Sequence, residues 1–135
     1  MNRVTLFADG GSRGNPGPAA YGAVLYDEAG TIVGEVAEYI GVSTNNVAEW
    51  SGLIAGLAAA AALGARAVSV RLDSELVVRQ LSGQYRVKDA KLIPLAAQAR
   101  KLLRQFTETD IAHVRREQNK AADALVNAAL DAQHS

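Results

Sequence analysis

Residues Val4, Thr5, Leu6, Phe7, Ala8 and Asp9 form a run of strand formers that is largely apolar on both of its faces. Alternation puts Val4, Leu6 and Ala8 on one side and Thr5, Phe7 and Asp9 on the other. A strand of this kind belongs in the middle of a sheet, with cover above and below. The run stops on Asp9 and enters a turn of Gly10, Gly11, Ser12, Arg13, Gly14, Asn15, Pro16, Gly17 and Pro18. A carboxylate at the mouth of a buried sheet, followed by glycines that admit a close backbone, suits a ligand site. It suits an ordinary Asp-Gly turn as well. The rest of the chain has to decide.

Tyr21–Tyr26 reads as a second strand, 27–30 as a hairpin turn and Thr31–Ile40 as the returning strand. The polar break 41–46 precedes a helix of strong formers, Val47–Leu63, stopped by Gly64. Ala67–Leu72 is a short strand that also ends on a carboxylate, Asp73. Helical stretches follow at Ser74–Leu81 and Lys91–Phe106, the second with Pro94 in its first turn. Asp110–Val114 is a last strand, Arg115–Asn119 a charged loop and Lys120–Ala132 a closing amphipathic helix. The order is β-β-β-α-β-α-α-β-α. A helix between the third and fourth strands lets the fourth run parallel to the first through a right-handed crossover. If these two are neighbours, connectivity changes direction between them, and ligands favour the carboxyl ends of strands there. Asp9 and Asp73 would both end at that point.

Each acidic residue has a competing explanation. Asn46 and Glu49 have the spacing of a capping box, although Leu53 and Leu57 put Glu49 on the helix face toward the sheet. Asp73 can cap the helix that follows it. Asp123 can belong to a solvated face, yet Ala122, Ala124, Leu125, Ala128 and Ala129 surround it with small apolar side chains. Converged, these four would offer hard oxygen donors. The chain has no cysteine and no convincing histidine pair, so the donors suit Mg²⁺ or Mn²⁺ rather than zinc. Two such ions can activate water and stabilise a leaving oxygen in phosphodiester cleavage.

Four motifs now stand in order: residues 9–18, Thr44-Asn45-Asn46-Val47-Ala48-Glu49, Asp73-Ser74, and 116–123 from Arg116 to Asp123. Together they resemble type 1 ribonuclease H over about Val4 to Leu130. The resemblance implies an α/β, ribonuclease H-like fold occupying 1–135 as a single domain. Its five-stranded mixed sheet would have three antiparallel strands, then two parallel, with helices on both faces. It also implies an endonuclease that hydrolyses the RNA strand of RNA–DNA hybrids with two Mg²⁺ or Mn²⁺ ions, leaving 5′-phosphate and 3′-hydroxyl ends with little sequence preference. On this likeness Asp9, Glu49, Asp73 and Asp123 match the metal-binding carboxylates. Asn15, Asn45 and Asn46 match groove-contacting positions, and Thr44 a contact to the DNA-strand phosphate. Gly10 and Gly11 would permit close substrate approach.

The departures from the family pattern are local. Some members insert a basic handle after the helix that follows the fourth strand; here residues 81–90 are short, with Arg86 and Lys88 as the only cations. The 14 basic and 14 acidic residues cancel. Both features imply weak, salt-sensitive hybrid binding unless a further domain or protein supplies affinity. Members often carry a mobile loop histidine before the last Asp. His113 reads as a strand residue instead, which leaves Glu117 as first choice for that helper, with Arg115 and Arg116 behind it. His134 lies in a tail and is given no role. There is no signal-peptide pattern, and the longest apolar run is too short to cross a bilayer, so no membrane association and a cytoplasmic location are expected. A binding module that no longer cleaves, or another metal nuclease on the same scaffold, are the competing readings.

Overall fold

A computed structural model describes residues 2–133, so the reading of His134 falls outside the described residues. The elements run β1 (Arg3–Ser12), β2 (Gly17–Tyr26), β3 (Ile32–Ser43), α1 (Asn45–Ala62), β4 (Ala67–Leu72), α2 (Glu75–Leu81), α3 (Ile93–Leu103), β5 (Glu108–His113), a 3-10 turn (Arg116–Gln118) and α4 (Lys120–Gln133). The five strands form one sheet in the order β3-β2-β1-β4-β5. β1 pairs antiparallel with β2 and parallel with β4, and β4 pairs parallel with β5. The expected mixed sheet is therefore observed, with β1 at its centre.

Val4, Leu6 and Ala8 are buried against α1, in a core completed by Trp50, Leu53, Leu57, Val70, Val77 and Leu92. α2 and α3 pack into this same core. α4 covers the opposite face over β1, β2 and β3, through a small cluster of Ala20, Val126 and Leu130. Thr5, Phe7 and Asp9 are only half-buried, so cover on the second face is thinner than the sequence implies. Across β4 and β5 that face carries polar groups: Ser69 Oγ donates to Asp110 at 2.7 Å and Arg71 pairs with the same carboxylate at 2.5 Å.

Two boundaries change the reading of the site. β1 does not stop at Asp9. It continues to Ser12 because Asp9–Ser12 stay paired with 19–22 of β2, and only the β4 ladder ends, at the Ala8–Leu72 pair. Asp9 thus sits beside the end of a neighbouring strand, not at the end of its own. α1 begins at Asn45, with Thr44 as its cap, its hydroxyl accepting from Val47 N at 3.2 Å. Asn46 is not the cap.

Candidate active site

Four elements deliver the four carboxylates. Asp9 and Asp73 follow Ala8 and Leu72, the last paired residues of the parallel strands, so both leave the sheet at one level. Glu49 is the fifth residue of α1, too far from the cap Thr44 to close a capping box, and Asn46 already lies inside the helix. Asp73 caps nothing either: Ser74 is the cap of α2, its hydroxyl accepting from Val77 N at 3.3 Å. Asp123 lies in the first turn of α4. The local explanations for Glu49 and Asp73 are therefore gone, and all four side chains line one cleft of about 380 Å³.

Two glycines bring the helices to this point. A Cβ on Gly10 would stand 2.2 Å from the carbonyl carbon of Ala48, and one on Gly22 would stand 2.7 Å from the carbonyl oxygen of Ala122. Gly22 pairs with Asp9 across the ladder. The α1 backbone next to Glu49 and the α4 backbone next to Asp123 thus press on opposite faces of the sheet beside Asp9. Gly10 was expected to make room for substrate. It lines the cleft and also makes room for α1. Gly11 keeps the expected openness, its nearest neighbour being Asn45 Oδ1 at 3.8 Å from a Cβ position.

The electrostatics are those of crowded acids. Burial, then the nearby Asp73 carboxylate, then contact with Asp123, push the Asp9 carboxyl up from 3.8 to about 8. Glu49 is raised too, first by burial and then by Asp73, against a hydrogen bond from Ser74 and the positive charge of Arg116. Four oxygen donors whose mutual repulsion a cation would relieve fit a hard divalent ion. Among the described residues, no three such side chains are closed around one point as a ready ligand set. They share a cleft, not yet a cage.

Asn45 also lines the cleft. Its Oδ1 accepts from Ser12 N at 2.8 Å and Ser12 Oγ at 3.1 Å, so its NH₂ is the group left for a ligand. Asn15 Oδ1 accepts from Asn45 N at 3.1 Å; neither Asn15 nor Thr44 nor Asn46 lines the cleft itself. The loop before α4 separates the two candidate helpers in space. Glu117 is exposed on the 3-10 turn and does not line the cleft, whereas Arg116 does. The turn aims one neighbour inward and the other outward. His113 is the final residue of β5, as expected, its Nε2 standing 3.2 Å from the Asp73 carbonyl oxygen. Sequence reasoning missed Ser74 and Asn127. The first was inside a quoted motif; the second lies one helical turn beyond Asp123 and donates to its Oδ2 at 3.3 Å.

A model of the reverse transcriptase-like family matches residues 7–129. The crystal structure of RNase H1 from the archaeon Halobacterium salinarum is 48% identical, with 96% of this chain and 98% of that one covered and a TM-score of 0.93. This chain belongs to the type 1 ribonuclease H family. The family is divalent-metal-dependent. LC11-RNase H1, solved in complex with an RNA/DNA hybrid, is 41% identical over 98% of this chain and 99% of its own, with a TM-score of 0.92. The bifunctional protein Rv2228c of Mycobacterium tuberculosis is 50% identical over 96% of this chain. The chain spans only 36% of that relative's length. Its N-terminal RNase H domain, solved as a fusion, superimposes with a TM-score of 0.95 at 49% identity, covering 98% of this chain and 96% of that one. As in a ribonuclease H without the basic handle, residues 82–92 join α2 to α3 with no helix between them.

Proposed function

We propose that this chain is an endonuclease that hydrolyses the RNA strand of RNA–DNA hybrids, leaving 5′-phosphate and 3′-hydroxyl ends. The observation that carries the reading is the convergence of Asp9, Glu49, Asp73 and Asp123, from four elements, in one cleft. Asp9 and Asp123 would hold one Mg²⁺ or Mn²⁺ ion, and Asp9, Glu49 and Asp73 a second. Such ions, when bound, lower the pKa of an attacking water and neutralise the departing 3′ oxygen. The protein's own part is positioning. Ser74, beside Glu49 in the cleft, favours its charged carboxylate. The Asn45 NH₂ donates to a 2′-hydroxyl or base edge, the features by which a wide minor groove is read. Gly11 keeps the approach open, while Asn15, Thr44 and Asn46 extend the contact surface along the strand. Arg116 pairs with a backbone phosphate. Base identity is largely unread, so cleavage should be nearly independent of sequence.

The test is a divalent-ion-dependent cleavage assay on matched RNA–DNA, RNA–RNA and DNA–DNA duplexes, run with the native chain and with Asp73→Asn. Cutting confined to the RNA of the hybrid, and abolished in a folded Asp73→Asn variant, is the expected result. Full activity in that variant, or equal cutting of the DNA duplex, would refute the reading.

A further inference from the structure

Asn119 belongs to the last of the four sequence motifs, yet neither the ligand set nor the substrate contacts use it. It is 1% exposed, one of only three buried polar residues among those described. Its Nδ2 donates to the carbonyl oxygen of Ala8 at 2.9 Å, across 111 residues of sequence. Ala8 precedes Asp9 and is the last residue at which β1 pairs with β4. The Asn119 carbonyl oxygen in turn accepts from the backbone N–H of Asp123, at 3.1 Å, opening α4. One residue therefore joins the backbone adjoining Asp9 to the backbone of Asp123. Its Oδ1 is buried and accepts no hydrogen bond, so the side chain is not acting as a conventional helix cap. Its single polar service is the bond to Ala8.

We propose that Asn119 is a positioning residue, a clasp that sets the separation of Asp9 and Asp123 and so the affinity for the cation those two would share. The inference rests on the proposed role of these carboxylates. Without the clasp, α4 still has Ala122, Val126 and Leu130 to hold it against the sheet, so the fold should survive. What is lost is the registration of its first turn against β1. Groups that orient metal ligands in this way typically cost about 10- to 100-fold in metal affinity or activity when removed.

The experiment compares the native chain with Asn119→Ala and Asn119→Ser; serine can still cap a helix but is too short to reach Ala8. Circular dichroism establishes the folded fraction, titration calorimetry measures Mn²⁺ affinity, and steady-state kinetics on an RNA–DNA hybrid separate kcat from KM. Both variants should be folded, bind Mn²⁺ about 10- to 100-fold more weakly, lose kcat in proportion and keep KM. Excess Mn²⁺ should restore part of the lost kcat. If either variant is folded with native Mn²⁺ affinity and native kcat, the clasp is refuted. A loss that follows only the unfolded fraction refutes it equally, since Asn119 would then be structural alone. Asp9→Asn separates the two layers: Mn²⁺ binding that this variant leaves intact overturns the carboxylate site, and the clasp with it.

Discussion

Asp9 has a charge that the folded protein resists. Its carboxyl is pushed up from 3.8 to about 8, by burial first and by Asp73 and Asp123 after it. Between those two values the folded, cation-free chain keeps a proton that the unfolded chain has released. Stability must then fall as pH rises through that window, because the unfolded state binds fewer protons. Asp9→Asn removes the penalty. In chelator, its melting temperature should match the native chain near about pH 4 and exceed it by a growing margin toward about pH 8. Added Mg²⁺ should then raise the native midpoint and leave the variant unmoved. Thermal melts across pH, with and without the ion, check this; a margin that does not grow with pH would show that Asp9 is not under that strain. At this scale the sequence was informative where a charged side chain had apolar neighbours, as with Glu49 before Leu53 and Leu57. It could not choose between Arg116 and Glu117, since that depends on how a 3-10 turn is rotated against the sheet.

Elements meet here through backbone contacts that permit no side chain. Gly10→Ala would drive a Cβ into the α1 main chain at 2.2 Å from Ala48, and no rotamer change can relieve a clash with backbone. The cost of such overpacking is about 1–3 kcal/mol or more. Denaturant unfolding should show the loss as a lower midpoint, and activity should fall as well, because Glu49 is the residue after Ala48. A variant as stable and active as the native chain would mean that α1 can shift freely. The kinds of element were legible because hydrophobic period reports them, and the strand arrangement because short connections and a right-handed crossover leave few alternatives. Several boundaries were not. The β1 extension to Ser12 and the β2 extension back to Gly17 consist of Gly, Ser, Pro and Ala, poor strand formers that are held by ladder pairing, the first with β2 and the second with β3 as well. The cap of α1 moved from Asn46 to Thr44 for a related reason: both residues can cap, and only tertiary packing selects one. Gly10 carries a second duty that its sequence context does not show, since the α1 backbone packs against it as well.

The whole molecule carries 14 basic and 14 acidic residues, and its cleft is acidic at the centre with Arg13 and Arg116 among its lining. Long-range attraction to a polyanion is therefore weak, and affinity must come from a few close phosphate contacts. The logarithm of KM for the hybrid should rise with the logarithm of salt concentration at a shallow slope, reflecting few neutralised phosphates at about 0.9 each. Arg116→Ala should flatten that slope by about one. An unchanged slope would remove Arg116 from the phosphate contacts. A further domain or protein that grips the hybrid would complement a body with this charge balance. The glycine contacts at Gly10 and Gly22 have an evolutionary side. Where two main chains touch directly, no intervening side chain can drift in size and alter the distance. Exchanging Leu53 or Leu57 for another apolar residue would change stability, while the strand-to-helix spacing would still be set by backbone against backbone. Such a contact would let the surrounding core change its side chains and keep the same site.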